Sequence, residues 1–243
     1  ISKETKKFMY ENEIRTAEFI CYDDFDHCVA GIEKLRQRMD KNRNYLMQTD
    51  NVSDKVSDKV NNNGSVNNCD CLNNPKCKCS FNYVIKASGL AGGKGVVLPE
   101  TYYQAFKEIE QIMIYKQYGD AGNEVIIEEK LYGEEVSVFA FCNGKQAFLM
   151  PQAQDNKRIW DNDTGLNTGG MGAYAPVNIL DDKEIIELQT FMNRTVERLN
   201  YTGVLYAGVM KTAKGIYLLE FNCRFGDPEA QAVLNLLDSD LNE

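Results

Sequence analysis

The order of the apolar segments restricts the fold of this chain more than its composition does. Segments with the length and residue content of strands outnumber those with helical spacing, and several strands follow each other with no helix between them. The predicted strands cover residues 14–22, 83–87, 96–98, 124–129, 134–142, 146–150, 203–210 and 216–221. The predicted helices cover residues 2–13, 23–39, 101–116, 181–199 and 228–237. This order is typical of an α+β fold with antiparallel sheets, not of a doubly wound parallel sheet.

One long segment interrupts this pattern. Residues 48–82 are rich in Asn, Ser, Asp and Lys and include an imperfect repeat of residues 52–55 in residues 56–59. Such a composition is too polar to form a core, and a long surface insertion costs little because loop-closure entropy grows only logarithmically with length. We therefore predict that residues 48–82 form a mobile insertion that the fold does not need.

The charge of the chain excludes some classes of partner. A net charge of −9 and a pI near 4.9 argue against nucleic acid, which requires a basic surface. No apolar run reaches the roughly 18–20 residues that span a bilayer, and the N-terminal residues do not have the form of a signal peptide. Half of the eight cysteines lie scattered in predicted regular structure, which fits reduced thiols and a cytoplasmic location. Because the sequence starts at Ile1 and not at Met, we expect it to be a piece of a longer polypeptide.

The last predicted strand ends in polar residues that suit a metal–nucleotide site. Side chains alternate between the faces of a strand, so Glu220 and Asn222 point the same way. Carboxylate and amide oxygens suit Mg²⁺, and Arg224 follows where it can reach a phosphate. Asp227 and Pro228 then have the residue types of an N-cap and a first helical residue. A solvated edge strand is the alternative, but the apolar neighbours favour the metal site.

A glycine-rich loop at residues 88–95 suggests a second contact with phosphate. It differs from a P-loop because Gly95, and not Ser or Thr, follows Lys94, and because it leads into a strand. We interpret it as a flexible flap whose backbone N–H groups can close over a triphosphate. Lys86, in the strand before it, needs an anion if it is half-buried, and a phosphate and a salt-bridged carboxylate fit it equally well.

Two further segments connect the predicted strands. Residues 128–135 can offer backbone groups to an adenine edge, although on their own they read as a charged turn. Residues 154–174 combine mixed charge, paired glycines and flanking aromatic residues in one long irregular segment. Long irregular segments inside a compact domain are usually functional or disordered, and this composition favours an ordered ligand loop.

Five segments together resemble the phosphoribosylamine–glycine ligase (glycinamide ribonucleotide synthetase) family. They are residues 84–96, 127–137, 154–158, 163–174 and 219–229, the last reading Leu-Glu-Phe-Asn-Cys-Arg-Phe-Gly-Asp-Pro-Glu. The resemblance covers nearly the whole chain except residues 48–82. It implies an ATP-grasp fold, in which two α+β subdomains hold ATP between antiparallel sheets. It also implies a ligase of purine biosynthesis that activates glycine as an acyl phosphate and joins it to 5-phosphoribosylamine.

The resemblance also implies roles for particular residues. The positions implied for ATP are Lys3, Lys86, Gly92, Gly93, Lys94, Glu128, Glu129, Lys130, Leu131, Glu135, Arg158 and Asn167. Among them, Lys3 and Lys86 are implied for the phosphates, residues 128–131 for adenine and Glu135 for the ribose. The implied substrate loop contains Asp155, Gly169, Gly170 and Met171. Glu220 and Asn222 are implied to hold Mg²⁺, which Mn²⁺ can replace, and Arg224 and Asp227 to face the reacting groups.

The implied organisation has four parts. Residues 1–47 are the first part of the ATP-grasp domain, 48–82 the insertion, 83–140 a small subdomain with flap and adenine linker, and 141–243 a large subdomain with substrate loop and metal site. Other domains of the family are expected before residue 1 and after residue 243. One arrangement that fits this expectation is a polypeptide that also carries further purine-pathway domains. The implied partners are ATP, glycine and 5-phosphoribosylamine, with no nucleic acid and no membrane.

The sequence departs from the family pattern at a few positions and leaves two alternatives open. Asn156 stands where the family usually has His, and Leu166 where it has Pro. One alternative is another ATP-grasp carboxylate–amine ligase that uses a different acid. The other is a metal-binding or interaction module built on the cysteine pairs of the polar segment, which are Cys69, Cys71, Cys77 and Cys79.

Overall fold

The computed structural model describes residues 2–49, 70–89, 91, 95–162 and 164–241, with the side chains of 38–49, 166 and 167 left aside. The helices are α1 (Lys3–Glu11), α2 (Phe25–Thr49), α3 (Tyr102–Met113), α4 (Asp182–Leu199) and α5 (Glu229–Val233), with short 3₁₀ turns at Gly119–Asn123 and Leu234–Leu236. The strands are β1 (Phe19–Tyr22), β2 (Tyr83–Ala87), β3 (Val96–Val97), β4 (Val125–Glu129), β5 (Glu134–Asn143), β6 (Ala147–Leu149), β7 (Gln154–Asp155), β8 (Arg158–Trp160), β9 (Thr164–Asn167), β10 (Ala173–Tyr174), β11 (Thr202–Thr212) and β12 (Gly215–Asn222). The predicted α+β class with antiparallel sheets is confirmed.

The first sheet has the order β1-β4-β2-β3, with every pair antiparallel. Alternation along its central strands sends Ile85 and Ile127 into a core against α2 and α3. The intervening residues, Lys86 and Glu128, face the other side and line a cleft. The N-terminus of α3 is fixed by a capping box in which the side chain of Thr101 accepts from the backbone N–H of Gln104.

The second sheet has the order β12-β11-β5-β6 and is also antiparallel. One face packs against α4, whose start is fixed by a capping box between Asp181 and Glu184. The opposite face carries polar residues toward the cleft. The chain passes from the first sheet to the second in the linker at residues 130–133, because β5 lies wholly in the second sheet. The subdomain boundary predicted at residue 140 therefore falls inside β5.

Helix α1 joins the two halves. Met9 is fully buried in the core of the second sheet, whereas the ammonium group of Lys6 reaches Glu128 on β4 of the first sheet. Residues 1–47 are therefore shared between the two sheets, since β1 and α2 belong to the first. Along the described parts of the chain, no helix combines the length and apolar character needed to cross a bilayer.

The prediction of a non-packing insertion is wrong for residues 70–82. Cys71, Leu72, Cys77 and Phe81 are buried in the core between the first sheet and α3. Backbone hydrogen bonds attach this segment to the start of α3, with the N–H of Phe81 donating to the carbonyl of Glu100 at 2.8 Å. Residues 48 and 49 belong to α2, which continues well beyond the predicted end at residue 39. Residues 50–69 lie outside the described residues.

Two local predictions near the C-terminus also need correction. The N-cap position of α5 is Pro228 and not Asp227, whose Oδ1 instead accepts from the side-chain amide of Gln231 at 3.1 Å. The predicted helix at 228–237 is a short α-helix followed by a 3₁₀ turn. Earlier in the chain, the irregular segment predicted at residues 154–174 is partly ordered as two small antiparallel pairs, β7 with β10 and β8 with β9.

Candidate active site

A cleft lies between the two sheets. Its outer part has a volume of about 530 Å³ and its inner part about 290 Å³. Both parts share the side chains of Lys86, Val96, Glu135, Asp155, Lys157 and Leu219. Apolar side chains of both sheets form the walls of the outer part, which are Val84, Val96, Leu98, Met210 and Leu219. The cleft therefore has an apolar slot at one end and a charged floor at the other.

The linker at residues 130–133 closes the outer end of the cleft. Glu129, Lys130, Leu131 and the adjoining Tyr132 all line it. A Cβ atom on Gly133 would lie 1.9 Å from the carbonyl oxygen of Lys211 on β11, so only glycine allows the linker to pass this close to the second sheet. The structure thus brings the four residues predicted to frame adenine, Glu128 through Leu131, to one rim of the cleft.

The side chain of Glu128 is not a free carboxylate at that rim. Its side chain is buried and forms an ion pair with Lys86 and a second one with Lys6, whose Nζ lies 2.7 Å from Oε2. The Lys6 ammonium also donates a hydrogen bond to Oγ1 of Thr16 at 2.6 Å. Of the two interpretations of Lys86, the structure shows the salt-bridged carboxylate.

The pKa values of this buried triad follow from its charges. Burial lowers the pKa of Lys6, and the nearby Lys86 adds to that effect against the attraction of Glu128. For Glu128, burial alone would raise the pKa, but the two ammonium groups outweigh it and hold the pKa below its ordinary value. The carboxylate therefore stays ionised between two lysines.

A second cation, which the sequence analysis did not assign, lies at the middle of the cleft. Nζ of Lys157 is 2.6 Å from Oε2 of Glu135, the residue predicted to hold the ribose. Burial lowers the pKa of Lys157, but the neighbouring Tyr206 and Glu135 outweigh it and the pKa is raised. Lys157 is thus a permanent positive charge between the two parts of the cleft. In the sequence, its position next to the predicted site residue Arg158 could have indicated it.

The floor of the inner part collects most of the residues predicted for metal and catalysis. Glu220, Asn222, Arg224, Asp227 and Gly169 all line it. The amide Nδ2 of Asn222 donates to Oε1 of Glu220 at 3.2 Å, which confirms that the two side chains share one face. Arg224 donates to the backbone carbonyl of Phe225 at 2.9 Å.

A β-bulge sets the direction of Glu220. Strand β12 pairs Glu220 with Gly208 and Leu218 with Val209, so Leu219 is the extra residue of the bulge. Ile216 and Leu218 face the core against α4, whereas Leu219 and Glu220 both line the cleft. Without the bulge, strict alternation would have placed Glu220 on the core face with Leu218.

The sequence analysis missed a buried polar network below this floor. Oε1 of Glu229 accepts from Oγ of Ser137 at 3.0 Å, and that hydroxyl lies 3.2 Å from the hydroxyl of Tyr206. Burial raises the pKa of Tyr206 to about 12. Two features of the sequence could have indicated these residues. Glu229 is the last residue of the segment 219–229, and Ser137 lies on the same face of its strand as Glu135.

Asp155 faces this network without a hydrogen-bond donor. Its Oδ1 is buried and has no partner among the described residues. Burial, together with repulsion from Glu229, raises the pKa of Asp155 to about 6. An unpaired carboxylate oxygen beside two further carboxylates that line the same floor is an arrangement that a cation stabilises.

Three of the predicted residues, Lys3, Gly170 and Met171, line neither part of the cleft, whereas Arg158 lines it with its guanidinium already bound to the protein. Lys3 pairs with Glu124, and its backbone N–H donates to Oγ of Ser88 at 3.1 Å, so it lies at the base of the flap. Met171 is 59% exposed and lines neither part of the cleft. Arg158 lines the outer part but donates to the carbonyl of Gly165 at 2.6 Å. Gly170 packs against Pro228 and Asp155, where a Cβ atom would clash.

Four of the predicted ATP positions lie wholly or partly outside the described residues. Gly92, Gly93 and Lys94 lie outside the described residues, as does Cys69. The backbone of Asn167 pairs with Arg158 at the end of β9, and its side chain is outside the described set.

The donor set of the inner floor fits Mg²⁺. Mg²⁺ is usually held by one or two protein oxygens together with substrate phosphates and water, and it does not need a complete protein cage. Glu220 and Asn222 supply such a pair, and the unsatisfied Oδ1 of Asp155 faces the same floor. Among the described residues, these carboxylates do not gather into a cluster of three within common ligand distance.

Two antiparallel sheets that face each other across a cleft, with a linker at one end and metal-ligand types at the other, define an ATP-grasp domain. Comparison with known proteins identifies the family. The family model "Phosphoribosylglycinamide synthetase, ATP-grasp (A) domain" matches residues 41–230. The chain belongs to this family, as the resemblance predicted.

Relatives and solved structures agree with this assignment. The chain is similar to the bifunctional purine biosynthetic protein ADE1 of Schizosaccharomyces pombe, with 47% identity over 68% of this chain and 22% of that protein. It is 49% identical to the phosphoribosylamine–glycine ligase of Streptococcus pyogenes over 65% of this chain and 39% of that enzyme. The crystal structure of phosphoribosylamine–glycine ligase from Thermotoga maritima superposes with a TM-score of 0.69 and 29% identity, over 96% of this chain and 49% of that one. This chain thus spans less than half the length of each.

Proposed function

We propose that the protein containing this chain is an ADP-forming ligase that joins glycine to 5-phosphoribosylamine in purine biosynthesis, and that this chain supplies its ATP and metal site. The observation that carries the proposal is the cleft itself. It combines an apolar slot under the 130–133 linker with a floor of Glu220, Asn222 and Arg224, in a chain of the phosphoribosylglycinamide synthetase family. We further propose a cytoplasmic location and neighbouring family domains on the same polypeptide.

The geometry suggests how ATP lies in the cleft. The adenine base would enter the slot between Val84 and Leu98 of one half and Met210 of the other, with its polar edge toward the linker backbone. The triphosphate would then extend past Lys86 and Lys157 toward the floor. Glu135 would accept from the ribose hydroxyls, and its ion pair with Lys157 would hold it in place.

The chemistry requires positioning and charge neutralisation and no side-chain nucleophile. The carboxylate of glycine would attack the γ-phosphate and displace ADP, giving glycyl phosphate. The amine of 5-phosphoribosylamine would then attack the acyl carbon and displace phosphate, forming the amide and releasing a proton. Arg224 lines the floor at the reacting end, where it can orient the carboxylate and neutralise charge. Mg²⁺ held by Glu220 and Asn222 would neutralise the phosphate oxygens during the transfer.

The metal assignment can be tested by nucleotide binding. Titration calorimetry of Mg·ATP into the chain should show binding, and Glu220→Gln should weaken it by roughly 10- to 100-fold or more because a metal ligand is lost. Glu33→Gln, at an exposed position of α2 on the other side of the first sheet, is the matched control. Equal affinities of the parent chain and Glu220→Gln would refute the site.

The reaction itself should need more than this chain. Correct placement of reactants can supply about 7–11 kcal/mol of a barrier, and the residues assigned above account for the nucleotide, the metal and the carboxylate of glycine but not for 5-phosphoribosylamine. Phosphate release from ATP with glycine and freshly generated 5-phosphoribosylamine should therefore be much slower with this chain than with a polypeptide extended to full family length. Equal rates would contradict this, and release that is as fast with another amino acid as with glycine would favour the alternative ligase.

A further inference from the structure

Three cysteines of the polar segment come together in space. The sulfur atoms of Cys71, Cys77 and Cys79 all lie within 4.8 Å of one another, and they form the single such group of potential metal ligands in the described part of the chain. Cys71 and Cys77 are buried, and Cys79 is half-buried. None of these residues lines the nucleotide cleft, so the proposed function does not account for them.

Short turns produce this cluster without regular secondary structure. Oδ1 of Asp70 accepts from the backbone N–H of Asn73 at 3.3 Å, and the carbonyl of Asn74 accepts from the N–H of Cys77 at 2.9 Å. The backbone N–H of Cys79 then points at the sulfur of Cys77, at 3.4 Å. A donor directed at sulfur favours the ionised thiolate, which is the form that binds metals.

The cluster is rigidly attached to the fold. The carbonyl of Cys79 accepts from the N–H of Tyr102 at 3.3 Å, and Ser80 forms a bridge with Thr101 at the start of α3. Phe81 and the buried cysteines pack in the same core as Ile85 of β2. Only a few side chains of the segment are buried, so a cross-link at the cysteines would help to offset its ordering entropy.

We propose that Cys71, Cys77 and Cys79 bind one Zn²⁺ ion as a structural site that holds residues 70–82 against α3 and β2. Four ligands around zinc at about 2.3 Å place sulfurs about 3.8 Å apart, which the observed cluster satisfies with little movement. Each thiol releases its proton to solvent on binding, and a fourth ligand from solvent or from the chain completes the tetrahedron. Thiolate ligands select Zn²⁺ over Mg²⁺, so this site and the nucleotide site take different metals.

The site also has a structural consequence for the nucleotide cleft. Strand β2 directly follows the cysteine segment and carries Lys86. Zinc would fix the entry of β2 into the sheet at a point remote from the cleft. Its loss should therefore lower stability more than it changes the chemistry of the nucleotide site.

Metal analysis and one pair of variants test the proposal. The chain purified under reducing conditions should contain about one equivalent of zinc, measured by inductively coupled plasma mass spectrometry. Cys77→Ala should reduce this to near zero. Cys28→Ala is the matched control, because Cys28 is fully buried in the same core and lies outside the cluster. It should retain the full equivalent of zinc.

A spectroscopic measurement on the parent chain keeps the test valid if Cys77→Ala does not fold. Replacing zinc by Co²⁺ should give the near-ultraviolet thiolate-to-cobalt band and the visible bands of tetrahedral Co²⁺. Removing the metal with a strong chelator should lower the melting temperature by more than about 4 °C. Absence of metal from the parent chain, a disulfide between any two of the three cysteines under reducing conditions, or one equivalent of copper or iron in place of zinc would each overturn the proposal.

Discussion

Two groups of charges lie on opposite sides of the same cleft and are organised in opposite ways. In the first sheet, the buried carboxylate of Glu128 is held between the ammonium groups of Lys6 and Lys86. At the floor of the second sheet, Asp155 faces another carboxylate, Glu229, and keeps one oxygen without a donor. The first group is balanced by charges within the protein, whereas the second keeps a buried carboxylate oxygen without a donor among the described residues.

This contrast distinguishes charged residues that pair with each other inside the protein from charged residues that have the pattern of a ligand-binding site. In such a buried group, removing the central charge leaves both of its partners buried without a counter-charge, which is costly, whereas removing one outer partner leaves a one-to-one pair. A carboxylate kept near another carboxylate costs stability in the absence of ligand, and functional sites commonly contain such groups. Four measurements test this difference between the two groups of charges.

The largest effect is expected at the centre of the buried triad. Glu128→Gln removes the only carboxylate between two buried ammonium groups and should lower the free energy of unfolding by about 3–5 kcal/mol. Urea denaturation monitored by circular dichroism measures this. The neighbouring Glu129→Gln, at an exposed position, is the control and should change stability by less than about 0.5 kcal/mol. A loss below 1 kcal/mol for Glu128→Gln would show that the triad is not a closed unit.

A smaller effect is expected when one cation of the triad is removed. Lys6→Met conserves volume and leaves Glu128 paired one-to-one with Lys86. The free energy of unfolding should therefore fall by no more than about 1.5 kcal/mol. The same denaturation experiment decides it. A loss as large as that of Glu128→Gln would mean that the contact of Lys6 with Thr16, and not the charge balance, dominates.

The cleft floor should respond with the opposite sign. The pKa of Asp155 is raised from 3.8 to about 6, so its charged form is disfavoured in the folded protein and stability falls as the pH rises from 4 to 7. Asp155→Asn removes this penalty and should stabilise the chain at pH 7 by about 1 kcal/mol, discounted for partial solvent access. The gain should shrink toward pH 4. A constant difference between pH 4 and pH 7 would contradict the raised pKa.

The smallest effect is the response to metal alone. Mg²⁺ at a concentration near its dissociation constant should stabilise the parent chain by about 0.4 kcal/mol, as linkage requires. Glu220→Gln should lose this response, whereas Lys6→Met should retain it because the triad does not take part. Thermal melts with and without Mg²⁺ and a chelator measure it. Equal responses in Glu220→Gln and the parent would place the cation elsewhere.

Much of the fold follows from local patterns. Most predicted strands and helices are observed near their predicted bounds, because each depends on residue spacing within one segment. The adjacency of Glu220 and Asn222 follows from two positions on one strand and is confirmed. Residues 70–82 were mispredicted because composition describes the average of a segment, whereas a few buried residues, such as Phe81 and Cys71, decide how it packs.

Other features depend on segments that are far apart in the chain. The partners of Glu128 come from α1 and β2, and no local pattern indicates that three such charges meet. The same holds for Asp155, whose raised pKa arises from burial and from Glu229 on another element.

Residue patterns alone were enough to predict the α+β class, the two neighbouring metal-ligand types on β12 and, through five segments, the family. They did not predict which way those ligands face. Strict alternation groups Glu220 with Leu218, yet the bulge at Leu219 turns Glu220 to the cleft while Leu218 stays in the core. The physical reason is that a bulge arises from the register between two strands, and register is a property of the pairing of β12 with β11 and not of either strand alone.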